Sequence, residues 1–271
     1  MNVQSPVIVM RGAGDLATGV ALRLYRAELR KIVMLETANP LAVRRTVAFS
    51  ECVTHERMTV EGVTAKHIAS TNLVKETWAA DFIPVLVDPD AATLPRLNPD
   101  VLVDAIIAKR NLGTYSSQAP LVIGLGPGFT ASEDVHMVIE TMRGHSLGRV
   151  ITQGAALPNT GIPGTINGFA IERVNWAENA GIFTTMFTIG DTISEGEELG
   201  HVDETPVIAK LSGIVRGLLQ SGTHVNKRTK LGDVDPRGSI SYCGEVSDKA
   251  LAVGGGVLEA ISAHIFSVAH A

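Results

Sequence analysis

The chain has 271 residues, 45% of them apolar and 19% charged, a composition that supports a buried core and excludes a disordered chain. A net charge of −5 and only 4% aromatic residues exclude the basic face and stacking platforms that a nucleic-acid partner needs. Met1 is followed by no signal-peptide pattern, no apolar run approaches a bilayer span, and Cys52 and Cys243 lack metal-ligand spacing, so a cytoplasmic, reduced chain without membrane contact is expected.

Residues 6–11 are a short apolar run stopped by Gly12, the pattern of a buried parallel strand. Leu16, Val20, Leu22, Leu24 and Leu29 follow with a spacing closer to helix than strand, and residues 32–35 form a second apolar run ending at Glu36. Together these segments read as one βαβ unit. Ile83–Val87, Val101–Ile107 and Leu121–Leu125 read as further strands with polar or glycine-rich carboxyl ends, where open α/β sheets collect ligands. Residues 130–142 read as a helix capped by Thr130 or Ser132.

The character changes near residue 150. Four glycines and two prolines in 152–168 predict a long loop, and from 170 to 245 short β-prone runs alternate with glycines. This half contains a repeat at an offset of about 32 residues. Gly190, Leu199, Gly200, Val202 and Asp203 recur as Gly222, Leu231, Gly232, Val234 and Asp235. Residues 250–268 read as a final helix that packs back on the first domain. The expected fold class is therefore α/β: a Rossmann-like parallel-sheet domain (1–150), a linker (151–169), a small β-rich domain (170–245) and a C-terminal helical segment (246–271).

Gly12-Ala13-Gly14-Asp15-Leu16-Ala17 fits G-x-G-x-x-G/A between a strand and a helix. The first glycine permits a tight turn, the second admits a pyrophosphate to the backbone, and Ala17 permits close helix packing. Phosphates would rest on the helix N-terminus, and Glu36 stands where an acid bonds a ribose hydroxyl. Asp15 is anomalous so close to a phosphate unless a cation or donor satisfies it. Arg44 and Arg45 read either as a phosphate clamp or as a solvated loop, and Glu36 counts against a 2′-phosphate.

Lys109-Arg110-Asn111 ends the strand that carries Asp104, an acid that needs a partner if buried. It reads equally as a ligand contact or a solvated turn. Gly126 and Gly128 sit in a second glycine-rich turn, over 124–130, that either cradles an anion or is merely strained. His136 and Glu140, four apart on the expected helix, lack a third ligand, so no metal site is assigned. Cys52, near Glu51 and His55, reads as a buried small hydrophobe rather than an activated thiol. The polar clusters 233–237 and 247–249 either face a ligand cleft or pair structurally. No catalytic residue stands out, and whether the chain is an enzyme stays open.

Two resemblances rest on these residues. The repeat, with Pro206 to Val215 between its halves, resembles a biotinyl/lipoyl-type barrel-sandwich hybrid. The hairpin Asp203-Glu204-Thr205-Pro206 has no carrier lysine, Lys210 replaces the usual proline and Arg228 a glycine, so no swinging arm is implied. The segments Arg11–Gly19, Pro40–Arg45, Asp104–Asn111, Gly124–Phe129, Gly232–Arg237 and Ser247–Lys249 are similar to the selenium-dependent molybdenum hydroxylase accessory family, the YqeB-type molybdenum cofactor maturation proteins. The Rossmann half of xanthine dehydrogenase maturation chaperones is also similar. This resemblance implies a maturation protein that binds a nucleotide or molybdopterin-type cofactor at Gly12–Ala17, with Lys109, Arg110 and the second glycine turn on its other polar groups. Its partners would be a molybdenum hydroxylase or its maturation machinery and a small phosphorylated ligand; a homo-oligomer is left open. The competing expectation is an NAD(P)-dependent oxidoreductase with a β-rich substrate domain.

Overall fold

The computed structural model describes residues 5–268, and the chain forms two compact units. The first comprises Met1–Pro40, Ala48–Asn159 and Val246–Ala271; the second comprises Leu41–Val47 and Thr160–Glu245.

The strands of the first unit, in chain order, are β1 (Ile8–Arg11), β2 (Ile32–Glu36), β3 (Arg57–Val60), β4 (Val63–His67), β5 (Ile83–Val87), β6 (Val101–Asp104), β7 (Leu121–Leu125), β8 (Thr130–Ala131), β9 (Met137–Ile139), β10 (Val150–Ile151) and β11 (Gly154–Ala155). Its helices are α1 (Asp15–Arg26), α2 (Cys52–His55), α3 (Val74–Ala79), α4 (Leu94–Leu97) and α5 (Asp248–Val268). A nine-stranded sheet has the order β10-β9-β7-β6-β1-β2-β5-β4-β3, and β8 and β11 pair separately. Every inner pairing is parallel, whereas β10 runs antiparallel to β9 and β3 antiparallel to β4.

The expected Rossmann-like parallel sheet is thereby corrected to a large mixed sheet. Only β1 and β2 are joined by a long crossover helix; the 105–120 connection between β6 and β7 holds a single 3₁₀ turn. The helix expected over 130–142 is replaced by β8, a turn and β9. Ser132 sits at φ 70°, which an α-helix does not tolerate. His136 binds the β7 backbone twice: its amide donates to the Val122 carbonyl (3.0 Å), and its Nδ1 accepts from the Val122 amide (2.9 Å).

α5 runs through Gly254, Gly255 and Gly256 without a break because two of them bring it close to its neighbours. A Cβ on Gly254 would lie 3.1 Å from the Gly19 carbonyl oxygen of α1, and one on Gly256 would lie 2.9 Å from Ile139. By length and composition α5 could cross a membrane, yet Val253, Val257, Ala260 and Ile261 are buried in the unit's interior.

In the second unit, β12 (Val174–Trp176), β13 (Gly181–Thr184), β14 (Thr192–Ile193), β15 (Glu198–Val202), β16 (Thr205–Ile208), β17 (Gly213–Leu218), β18 (Thr223–Val225) and β19 (Lys230–Asp235) build two four-stranded antiparallel sheets. Their orders are β12-β19-β17-β14 and β16-β15-β13-β18. Each sheet keeps two edge strands, so the expected barrel-sandwich-like domain is corrected to a pair of open sheets. The repeat accounts for their shared core. Leu199 and Leu231, like Val202 and Val234, are buried in one apolar cluster with Phe183, Val215 and Leu218. Gly190 and Gly222 both turn the chain at positive φ (108° and 88°).

Candidate functional site

β1 leads to β2 on one side, while its other neighbour is β6, and such a switch point opens a crevice at the strands' carboxyl ends. The loops that follow β1, β6, β7 and β9 all emerge at this edge. Gly12 makes the first turn at φ 96°, and a Cβ there would lie 3.0 Å from the Ala105 carbonyl oxygen beyond β6. Gly14 is the N-cap of α1. No side chain caps this helix end, and nothing lies within 4 Å of where a Cβ on Gly14 would stand. The first amide bonded inside the helix is that of Thr18, to the Gly14 carbonyl (2.8 Å), so the amides of Gly14, Asp15 and Leu16 stay open among the described residues.

Glu36 does not project toward a ligand with both oxygens free. It accepts from the Ala13 amide (2.8 Å) and the Thr37 amide (2.8 Å), so the acid expected to hold a ribose ties the glycine turn to β2 instead. This geometry argues against the dinucleotide arrangement on which the NAD(P) oxidoreductase expectation rests.

Asp104 and Arg11 are 2% and 4% exposed. The Thr114 hydroxyl donates to Asp104 (2.6 Å), Arg11 donates to Thr114 Oγ1 (2.6 Å), and the Arg11 and Asp104 charges lie 3.5 Å apart. Asn111 accepts the Gly113 and Thr114 amides and donates to the Thr114 carbonyl. Asp104 and Asn111 therefore shape the 105–114 loop from within. That loop holds Ile107 and Lys109 at φ 60° and 62°, a strained setting for a β-branched and a long side chain. It presents Lys109 and Arg110 to solvent. Gly128 supports the loop, since a Cβ on it would lie 2.6 Å from the Arg110 amide nitrogen, and buried Gly126 packs on Thr141.

Lys249, in the first turn of α5, completes the edge. It is half-buried, and burial pushes its amine below the ordinary lysine range, with Arg143 and Lys109 adding to the effect against Asp15 and Glu140. The carboxylates around it are otherwise engaged. Asp248 is held by both arms of Arg143 (2.6 and 2.9 Å), and Glu140 accepts the Met142 and Leu157 amides (2.7 and 2.8 Å). Asp15 is within electrostatic reach but forms no ion pair with Lys249, and among the described residues neither has a hydrogen-bond partner. Arg143 carried no motif that the sequence could reveal, because its partner lies 105 residues away.

Other expected residues lie elsewhere. Arg45 belongs to the second unit and donates to the Leu218 carbonyl (2.9 Å), and Arg44 donates to the Tyr242 and Glu245 carbonyls. Cys52 is buried, its thiol pushed up to about 12 by burial and by Glu36 and Glu51, so it is no activated nucleophile. Among the described residues no group of three or more His, Cys, Asp or Glu could hold a metal ion.

No family model matches the chain. It is 50% identical over 255 residues to a protein of Escherichia coli (strain K12) described as uncharacterized protein YqeB, covering 94% of this chain and 47% of that one. The chain thus spans about half the length of the curated relative it matches. Similar solved structures include the ectoine utilization protein EutE (DoeB) from Ruegeria pomeroyi (11% identity, 85% of each chain, TM-score 0.27). Others are a succinylglutamate desuccinylase/aspartoacylase from Rhodobacter sphaeroides (15%, 85% of each chain, 0.25) and an aspartoacylase family protein from Mesorhizobium loti (12%, 85% of each chain, 0.27). Likenesses at this level define neither a shared fold nor a shared activity.

The comparisons correct the family reading. The relative at 50% identity is described only as an uncharacterized protein, with no molybdenum hydroxylase or cofactor-maturation role. The assignment to that accessory family is withdrawn, together with the maturation role and its selenium and molybdenum cofactor associations. The NAD(P)-dependent oxidoreductase alternative is withdrawn with it.

Proposed function

We propose that the first unit binds a small phosphorylated ligand at the carboxyl edge of its sheet. The phosphate rests on the open amides of Gly14, Asp15 and Leu16, where the helix dipole favours an anion. Lys249 supplies the counter-charge, with Lys109 and Arg110 at the rim. Asp15 takes a hydroxyl or amine donor beside the phosphate, which reconciles its charge with the site. The observation that carries this reading is Lys249, half-buried and in no ion pair among the described residues, while Asp248 and Glu140 are engaged elsewhere. Burying an unpaired cation is costly, and an incoming anion removes that cost. The chain is read as cytoplasmic, its partner a small molecule rather than a nucleic acid or a membrane.

Calorimetric titration with inorganic phosphate, ribose 5-phosphate and a nucleoside monophosphate tests this. Lys249→Ala is expected to weaken binding about tenfold, equivalent to about 1.4 kcal/mol, with most of the loss restored in Lys249→Arg. Asp15→Asn should favour bare phosphate over ribose 5-phosphate. Equal affinities in the parent protein and Lys249→Ala, or no binding in either, would remove the reading.

A further inference from the structure

The second unit contains a charge network that the site above does not involve. Asp233 and Asp235, 1% and 0% exposed, lie two apart on β19 and so share one face of their sheet. Arg173, 4% exposed, donates to Asp233 Oδ1 (2.9 Å), and Arg237 grips both oxygens of Asp235 (2.9 and 2.6 Å). Arg216 reaches both acids, donating through Nε to Asp233 Oδ2 (2.9 Å) and lying 3.3 Å from Asp235. It can do so because the β17–β19 register slips between Val215 and Gly217, a bulge that re-aims the residue between them. Lys230 stands 3.9 Å from Asp233.

Arg237 closes on Asp235, which leaves the largely buried Arg173 and Arg216 sharing Asp233, with Lys230 at the partly exposed rim. A balanced network would leave no surplus, and surplus charge in a low-dielectric interior is costly unless a counter-ion joins it. Arg173 marks the imbalance: one of its amino groups donates to the Gly164 carbonyl (2.9 Å), but its Nε is buried with no acceptor among the described residues. The network is open to solvent at Lys230 and Arg237, whose side chains are about one-third exposed.

We infer that the second unit carries an anion-binding site of its own at Arg173, Arg216 and Lys230, fitted to a compact dianion such as a phosphate group or a short dicarboxylate. The anion closes the charge balance and takes the donor that the two aspartates leave unused. It shares no residue with the phosphate site proposed for the first unit.

The test is hydrogen–deuterium exchange on the full chain with phosphate, sulfate or malonate, each against chloride at matched ionic strength. Protection of β17 and β19 should rise about tenfold with at least one dianion, and the phosphate and malonate arms separate the two chemistries. Lys230→Ala, a partly exposed change that leaves the Arg–Asp pairs intact, should raise the half-saturating concentration about fivefold; Arg173→Lys should abolish the response. Lys249→Ala should leave it unchanged, so failure here and failure of the first-unit reading are told apart. Absence of anion-specific protection, or protection insensitive to Lys230→Ala, overturns the inference.

Discussion

Arg11 shows how one side chain sets the shape of a site without entering it. It ends β1, and its guanidinium holds Asp104 and Thr114 from beneath the 105–114 loop. Arg11→Met should leave Asp104 buried and unpaired, at a cost of about 3–5 kcal/mol, read as a shift in the urea midpoint. Lys249 is the opposite case, a half-buried charge in no ion pair among the described residues. Its lowered pKa means that the folded state disfavours the proton. The stability it forgoes is therefore regained as pH rises through its folded pKa toward the ordinary lysine value of about 10.4. Phosphate affinity should fall over the same window as the ammonium is lost; titrations repeated between neutral and alkaline pH check the sign. Cys52, with its thiol near 12, should resist iodoacetamide in the native protein and react only once urea unfolds it.

Among elements, the α1–α5 pair governs the site's geometry, since it brings Lys249 toward Asp15. Gly19 fixes its spacing: a Cβ there would lie 2.5 Å from the Ala250 Cβ. Gly19→Leu should overpack the pair and cost about 1–3 kcal/mol, with loss of phosphate binding because the first turn of α5 is displaced. Gly14→Ala, at an N-cap with open space, should cost no more than about 1 kcal/mol. Thermal unfolding of the two variants separates a packing glycine from a turn glycine, although both lie in the same motif.

Across the whole molecule, acid should act on the second unit through Asp233 and Asp235, both buried against arginines. Burial works to raise Asp233, but Lys230, Arg216 and Arg173 outweigh it and hold it below the usual carboxylate range. Asp235 is held low in the same sense by Arg237 and Arg216. A depressed folded pKa gives stability that is complete above the unfolded value of about 3.9 and is lost as pH falls through the folded one. Exchange protection of β17 and β19 should therefore be flat from pH 7 to about 5 and collapse below about 4. Collapse well above that range would show that these pairs do not support the second unit.

The sequence by itself determined the local facts. Unbroken apolar runs could only be buried strands, so β1, β2, β5 and β7 were legible, as were the tight turn at Gly12 and the recurrence of Leu199 and Val202 in Leu231 and Val234. Tertiary structure decided what short-range pattern cannot carry. It turned 130–142 into two short strands and a turn, with His136 bonded to β7, and it gave both sheet edges antiparallel strands. It also engaged Glu36 with its own turn, and it set Lys249 beside Asp15 while Arg143 took Asp248. Hydrophobic periodicity is written within a few residues of chain, whereas a counter-ion is chosen by whatever distant segment folding brings near.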